Sequence, residues 1–183
     1  KPIILFGAST WPGEEELLLR FLDKYETDGP PLRLVLAPRH AERGDELSEL
    51  LNGGSIPWRR RSAEPDQGEQ DVRVYLADTT GELSQLIQVA DLVFVGKTMP
   101  PNEGGQNPIE AASCGIPVIF GPNTHNFSEM ARTLVETGAG LRVGNADALA
   151  HALPGLLGDK KKRSQMGAAA SQWKKEQEGA TER

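Results

Sequence analysis

The chain has 183 residues, a quarter of them charged, which is the make-up of an ordinary globular domain long enough to bury a core without staples. A formal net charge of −6 argues against nucleic acid or an anionic membrane surface as its main partner, because both require clustered Lys and Arg. The single cysteine, Cys114, excludes an intrachain disulfide and a multi-cysteine metal site, and it fits a reducing cytoplasm.

No apolar run approaches the length of a membrane span. The apolar stretch behind Lys1 is too short for a signal peptide and no initiator Met is present, so the sequence reads as a soluble domain excised from a longer protein. Residues 3–6 read as a buried strand. Residues 12–25 follow as a helix, with Pro12 near its first position and Leu17, Leu18, Phe21 and Leu22 on one face. Gly29-Pro30-Pro31 breaks it, and residues 32–37 form the second strand. A helix over 41–51 carries the stripe Leu47, Leu50 and Leu51 and ends at Asn52-Gly53-Gly54. Residues 56–60 suggest a short strand and residues 64–70 a polar surface loop. The alternation then repeats: strand 72–76, helix 83–90, strand 92–95, helix 108–114, strand 118–120, helix 128–137, strand 140–143 and helix 146–157. A polar helix from about residue 160 to 178 has few apolar anchors, Met166 and Trp173, and a fraying end.

Alternating strands and helices predict an α/β fold, a doubly wound parallel sheet that is Rossmann-like, in one domain over residues 1–183. Ligands bind such sheets outside the carboxyl ends of the strands, so the loops there are the place to look. The first, residues 7–15, offers Ser9, Thr10 and free N–H groups. These either face a phosphate or sugar carboxylate or simply cap the helix, and local sequence favours the cap. It is neither a G-x-G-x-x-G loop nor a Walker motif. The second places Arg39 and His40 just past a strand. A guanidinium there either forks onto phosphate oxygens or pairs with a surface acid, and a lone His is too little for a general base. The third, residues 77–83, contains Thr79-x-x-Glu82, a good capping box. The N–H groups around Thr80, Gly81 and Glu82 that it would occupy are also those that would hold a phosphate.

The fourth loop, residues 96–112, is long and rich in Gly and Pro, which is costly unless used. Gly104 and Gly105 permit backbone conformations closed to other residues. Asn107, Pro108 and Glu110 spell a plain helix start, yet Glu110 also lies where a carboxylate accepts hydrogen bonds from vicinal ribose hydroxyls. Gln106 adjoins them. The three histidines are scattered and no acid cluster has ligand spacing, so no metal is expected, and the G-x-S-x-G elbow is missing. The basic run at 160–163 reads as a solvated helix start.

Six phrases, in order, resemble one family: residues 7–15, 37–43, Arg61-Ser62, 78–83, 103–112 and 115–127. They are similar to the Kdo (3-deoxy-D-manno-octulosonic acid) transferases, from the first strand to about Val143. The resemblance implies one half of a GT-B glycosyltransferase, the C-terminal, donor-side domain, with CMP-Kdo as donor, no cofactor, and lipid A or its precursor as acceptor. It implies inverting transfer without a metal, at the cytoplasmic face of the inner membrane, and a general base in an N-terminal domain outside this chain. Carried over by motif, Arg39 meets the donor phosphate or a carboxylate, Thr80, Gly81 and Glu82 offer N–H groups to the phosphate, Gly104 and Gly105 admit the donor, and Asn107 and Glu110 hold the ribose. The commoner pattern has His at Trp11 and at Gln106 and Pro at Ala111. Gln106 cannot be a cation, which bears on sugar choice. Another GT-B enzyme using a UDP-sugar, a GT-B-like epimerase, and a non-catalytic Rossmann-like domain are the alternatives.

Overall fold

The computed structural model describes residues 1–63 and 71–182. Among these, seven strands form one sheet: β1 (Ile3–Thr10), β2 (Leu32–Pro38), β3 (Trp58–Arg60), β4 (Val74–Leu76), β5 (Leu92–Val95), β6 (Val118–Phe120) and β7 (Gly140–Arg142). Their order is β3-β4-β2-β1-β5-β6-β7, and every neighbouring pair is parallel. The helices are α1 (Glu14–Lys24), α2 (Gly44–Asn52), α3 (Leu83–Leu86), α4 (Ile109–Ser113), α5 (Ser128–Glu136), α6 (Ala146–Leu157) and α7 (Lys160–Thr181). The chain builds outward from β1 to one side through β2 and returns to the other side at β5. This puts the topological switch point between β1 and β5.

Successive residues of a strand face opposite sides, so each strand feeds two cores. Leu5, Leu34, Leu36 and Phe94 face a layer closed by Leu18, Leu22, Leu47 and Leu149 of α1, α2 and α6. Phe6, Val35, Val93 and Val95 face a layer closed by Ile87, Ala112, Leu134 and Trp173. A parallel sheet with both faces covered is the predicted class.

Several boundaries differ from those expected. β1 runs four residues beyond the predicted end at Phe6, because Gly7 and Ala8 pair with Leu36 and Ala37 on one side and with Phe94 and Val95 on the other. The ladder is interrupted at Ser9, whose φ of 53° bulges the strand. α1 begins at Glu14 rather than Pro12, since Gly13 at φ 92° is left-handed. The helices expected at 41–51 and 83–90 each split into an α-helix and a 3-10 turn, Ala41–Arg43 and Ile87–Val89. α7 reaches Thr181, and its few anchors suffice. Met166, Ala170 and Trp173 lie on one face and are buried, and the Trp173 indole donates to the Thr133 hydroxyl at 2.8 Å. The polar loop expected at 64–70 lies outside the described residues.

Candidate functional site

The carboxyl ends of β1 and β5 are tied together by one buried side chain. The carboxylate of Glu14, 1% exposed, accepts N–H groups from Trp11 (2.9 Å), Lys97 (2.9 Å), Thr98 (3.0 Å) and Met99 (3.1 Å). Burial pushes this carboxyl up, and the four backbone donors pull it back. Beside it Thr10, also buried, donates to Glu15 at 2.8 Å, and Arg43 closes on Glu15 at 2.7 Å. Neither Ser9 nor Thr10 caps α1, whose cap is Gly13 with no side-chain hydrogen bond. The cap expected there gives way to a buried acid–hydroxyl–guanidinium chain.

A second set of ion pairs braces the end of β4. Asp78 accepts Arg60 at 2.6 Å, the Ser62 hydroxyl at 2.5 Å and the Ser62 N–H at 3.0 Å. Burial pushes Asp78 up, but the Ser62 hydroxyl and Arg60 together hold it below the usual range. Arg61 forks onto both oxygens of Glu82, each at 2.7 Å, and Thr79 donates to the same carboxylate. Arg61 and Thr79 draw the Glu82 carboxyl down to about 2. The Thr79–Glu82 capping box therefore does not form: both side chains turn to each other and to Arg61, and Glu82 stands at the cap of α3 without a side-chain bond. The first-turn N–H groups of α3 are left without a side-chain cap.

Across from this turn, the cap of α4 is Pro108 rather than the expected Asn107, whose side chain instead accepts the Ile109 N–H at 2.9 Å from one residue before the cap. Glu110 does not fold back onto the backbone. It faces α3 and accepts the Ser84 hydroxyl at 3.2 Å. Between these elements lies a cavity of about 340 Å³. Ser9, Arg39, Thr80, Gly81, Gln106, Asn107 and Glu110 all line it. Arg39 is exposed, and its side chain has no ion pair among the described residues. No acid among the described residues takes the part of the surface partner envisaged for it. One wall thus offers a guanidinium and an uncapped turn, suited to an anion, and the other a carboxylate suited to hydroxyls.

Five expected site residues lie off this cavity. Thr10 is buried against Glu15, and the Glu82 side chain is held by Arg61. His40 is half-buried, edge-on to Trp11 with ring centroids 5.3 Å apart and 3.7 Å from Glu42. Gly104 (φ 95°) and Gly105 (φ 75°) serve a loop–loop contact: a Cβ would lie 2.7 Å from the Asn126 amide nitrogen and 2.8 Å from the Asn123 carbonyl. Sequence reasoning missed Glu14, Asp78, Arg60 and Lys97. Acids in a first helical turn are what the dipole favours, so nothing local separates Glu14, which reaches back into the sheet edge, from Glu16, which is exposed. The phrase Arg61-Ser62 was a signal without a role, and its role is to hold Glu82 and Asp78.

Among the described residues, no group of three or more His, Cys, Asp or Glu side chains is placed to hold a metal ion. No helix there is long and apolar enough to cross a membrane. The family model described as Glycosyl transferases group 1 matches residues 17–173. The chain belongs to this glycosyl transferase family. Its relatives there include the 3-deoxy-D-manno-octulosonic acid transferase of Haemophilus influenzae, 37% identical over 98% of this chain and 42% of the relative. The chain therefore spans less than half the length of that transferase. Among solved structures it is similar to the C-terminal CMP-Kdo binding domain of WaaA from Acinetobacter baumannii, with a TM-score of 0.84 and 28% identity over 93% of this chain and 88% of that one. Anabaena Alr3699/HepE in complex with UDP shares the fold, with a TM-score of 0.62 and 19% identity over 93% of this chain and 43% of that one. The glycosyl transferase chain is thus the donor-side Rossmann-like half seen in WaaA, as the sequence phrases imply.

Proposed function

We propose that this glycosyl transferase domain binds CMP-Kdo in the cavity at the carboxyl edge of its sheet, as the donor half of a Kdo transferase. The observation that carries the reading is that Arg39, Gly81 and Glu110, distant in sequence, line one cavity at the switch side of the sheet. Arg39 takes the donor phosphate by a charge-assisted pair, and the N–H groups of the Thr80–Gly81 turn complete its hold. Glu110, already accepting a hydroxyl hydrogen from Ser84, takes the ribose hydroxyls, with Asn107 fixing the turn in front of it. The whole enzyme transfers Kdo to lipid A or its precursor at the cytoplasmic face of the inner membrane, inverting the donor anomer. Its general base sits on the N-terminal domain, so this chain alone binds without transferring. Similarity to transferases of that name and to a CMP-Kdo binding domain supports this reading over a UDP-sugar enzyme.

Calorimetric titration of the chain with CMP and UMP tests it. CMP is expected to bind with clear preference. Arg39→Ala and Glu110→Ala each weaken CMP by roughly tenfold or more, the loss of one hydrogen bond to a charged group. A preference for UMP, or affinity indifferent to both substitutions, sinks the reading.

A further inference from the structure

We propose that Lys97, its ammonium laid over the Trp11 ring beside the cavity, is the specificity-determining group that recognises the carboxylate of the donor's acidic sugar. The inference rests on the donor reading above and adds the part of the site that distinguishes an acidic sugar from a neutral one.

The first observation is backbone strain. Lys97 has φ 59° and Ser9 has φ 53°, a region that side chains other than glycine enter at a cost. Ser9 directly follows the paired residue Ala8, and Lys97 stands one residue further on from the paired Val95, at the switch point of the sheet. The strain at Lys97 is held from both sides: its N–H goes to Glu14 at 2.9 Å, and its carbonyl accepts the Gly105 N–H at 2.9 Å. Glycine would adopt this conformation freely, so a lysine here is present for its side chain.

The second observation is where that side chain goes. Nζ lies 4.5 Å from the centroid of Trp11, a cation–π arrangement that fixes a long, mobile chain over a rigid plate. Trp11 is itself held, by its N–H on Glu14 and by the edge contact with His40. Its indole Nε1 is buried and has no hydrogen-bond partner among the described residues, a further donor in the same cluster. The cluster adjoins the cavity through Ser9 and through Gln106, whose N–H reaches the carbonyl of Gly96, the neighbour of Lys97, at 3.0 Å.

The third observation is a count of charge. A nucleoside monophosphate linked to a sugar acid carries two negative charges, one on phosphate and one on carboxylate. Arg43, Arg60 and Arg61 are each committed to carboxylates of the fold. Arg39 and Lys97 have no ion pair among the described residues, and Trp11 and Gln106 carry no charge. With Arg39 assigned to the phosphate, Lys97, over Trp11 and without an ion pair among the described residues, is the cation placed for the carboxylate.

Calorimetry on the chain with CMP and with CMP-Kdo, for the wild type, Lys97→Gln and Lys97→Arg, decides it. The wild type and Lys97→Arg are expected to bind CMP-Kdo more tightly than CMP. Lys97→Gln is expected to lose about tenfold in CMP-Kdo affinity, the size of one charge-assisted contact, while its CMP affinity stays unchanged. A merely structural lysine would weaken both ligands together, and that result overturns the proposal. So does a Lys97→Gln variant that keeps the wild-type preference for CMP-Kdo, or a wild type with no such preference. Absence of CMP binding in the wild type brings down the donor reading and this inference with it. CMP binding with no effect of Lys97→Gln on CMP-Kdo brings down this inference alone.

Discussion

Arg43 and Arg39 stand four residues apart and do opposite things. Arg43 pairs with Glu15, which is fully buried, and among the described residues only the Thr10 hydroxyl would remain if the guanidinium went. Arg43→Met is therefore expected to cost about 3–5 kcal/mol, the penalty of stranding one member of a buried pair, and chemical denaturation would measure it. Arg39→Ala, at an exposed position without an ion pair among the described residues, is expected to leave the same denaturation curve in place. Glu82 gives the pH signature of the site. Its carboxyl is drawn from 4.5 to about 2 by Arg61 and Thr79, so the pair stabilises the fold above the ordinary value and is lost as pH falls through the lowered one. The difference in Tm between the wild type and Glu82→Gln should hold from neutral pH down to about 4.5 and shrink between there and about 2. A difference that is constant across that range contradicts the assignment.

At the scale of elements, the site depends on how closely the switch-point strands approach. A Cβ on Gly96 would lie 2.0 Å from the Ser9 carbonyl oxygen and 2.7 Å from the Thr10 Cα, both backbone atoms that cannot turn aside. Gly96→Ala is expected to lower stability by about 1–3 kcal/mol or more and to open the loop that carries Gln106. Gly144→Ala, where a Cβ meets nothing within 4 Å, is the matched control and should leave Tm unchanged or slightly raised. The alternation of short apolar runs with amphipathic stretches made the parallel sheet legible, because burial on both faces leaves no other use for runs such as Leu92-Val93-Phe94-Val95. The extension of β1 was not legible, because Gly7, Ala8 and Thr10 pair by backbone alone around the bulge at Ser9, and none of the four carries a large apolar side chain. The capping box misled for a different reason. Thr79 and Glu82 have the right spacing, but Arg61 arrives from β3 in the fold and outcompetes the local N–H groups.

For the whole molecule, α7 closes the second core layer. Trp173 is 1% exposed and bonded to Thr133, so Trp173→Ala is expected to cost about 3–5 kcal/mol although the helix around it is polar. Glu14 shows the limit of reading at this scale. Its neighbours in sequence give a helix start, and only the assembled sheet brings the N–H groups of Lys97, Thr98 and Met99 to it. Arg39, Gly81 and Glu110, by contrast, could be picked out beforehand, because each follows a strand end and the topology gathers strand ends at one rim. The claim on which the account turns is that this rim holds a cytidine nucleotide. A crystal structure of the chain soaked with CMP tests it most directly. The account predicts phosphate against Arg39 and the Thr80–Gly81 turn, with the ribose hydroxyls on Glu110. CMP lying elsewhere, for instance in the groove between Phe21 of α1 and Leu149 of α6, would contradict it.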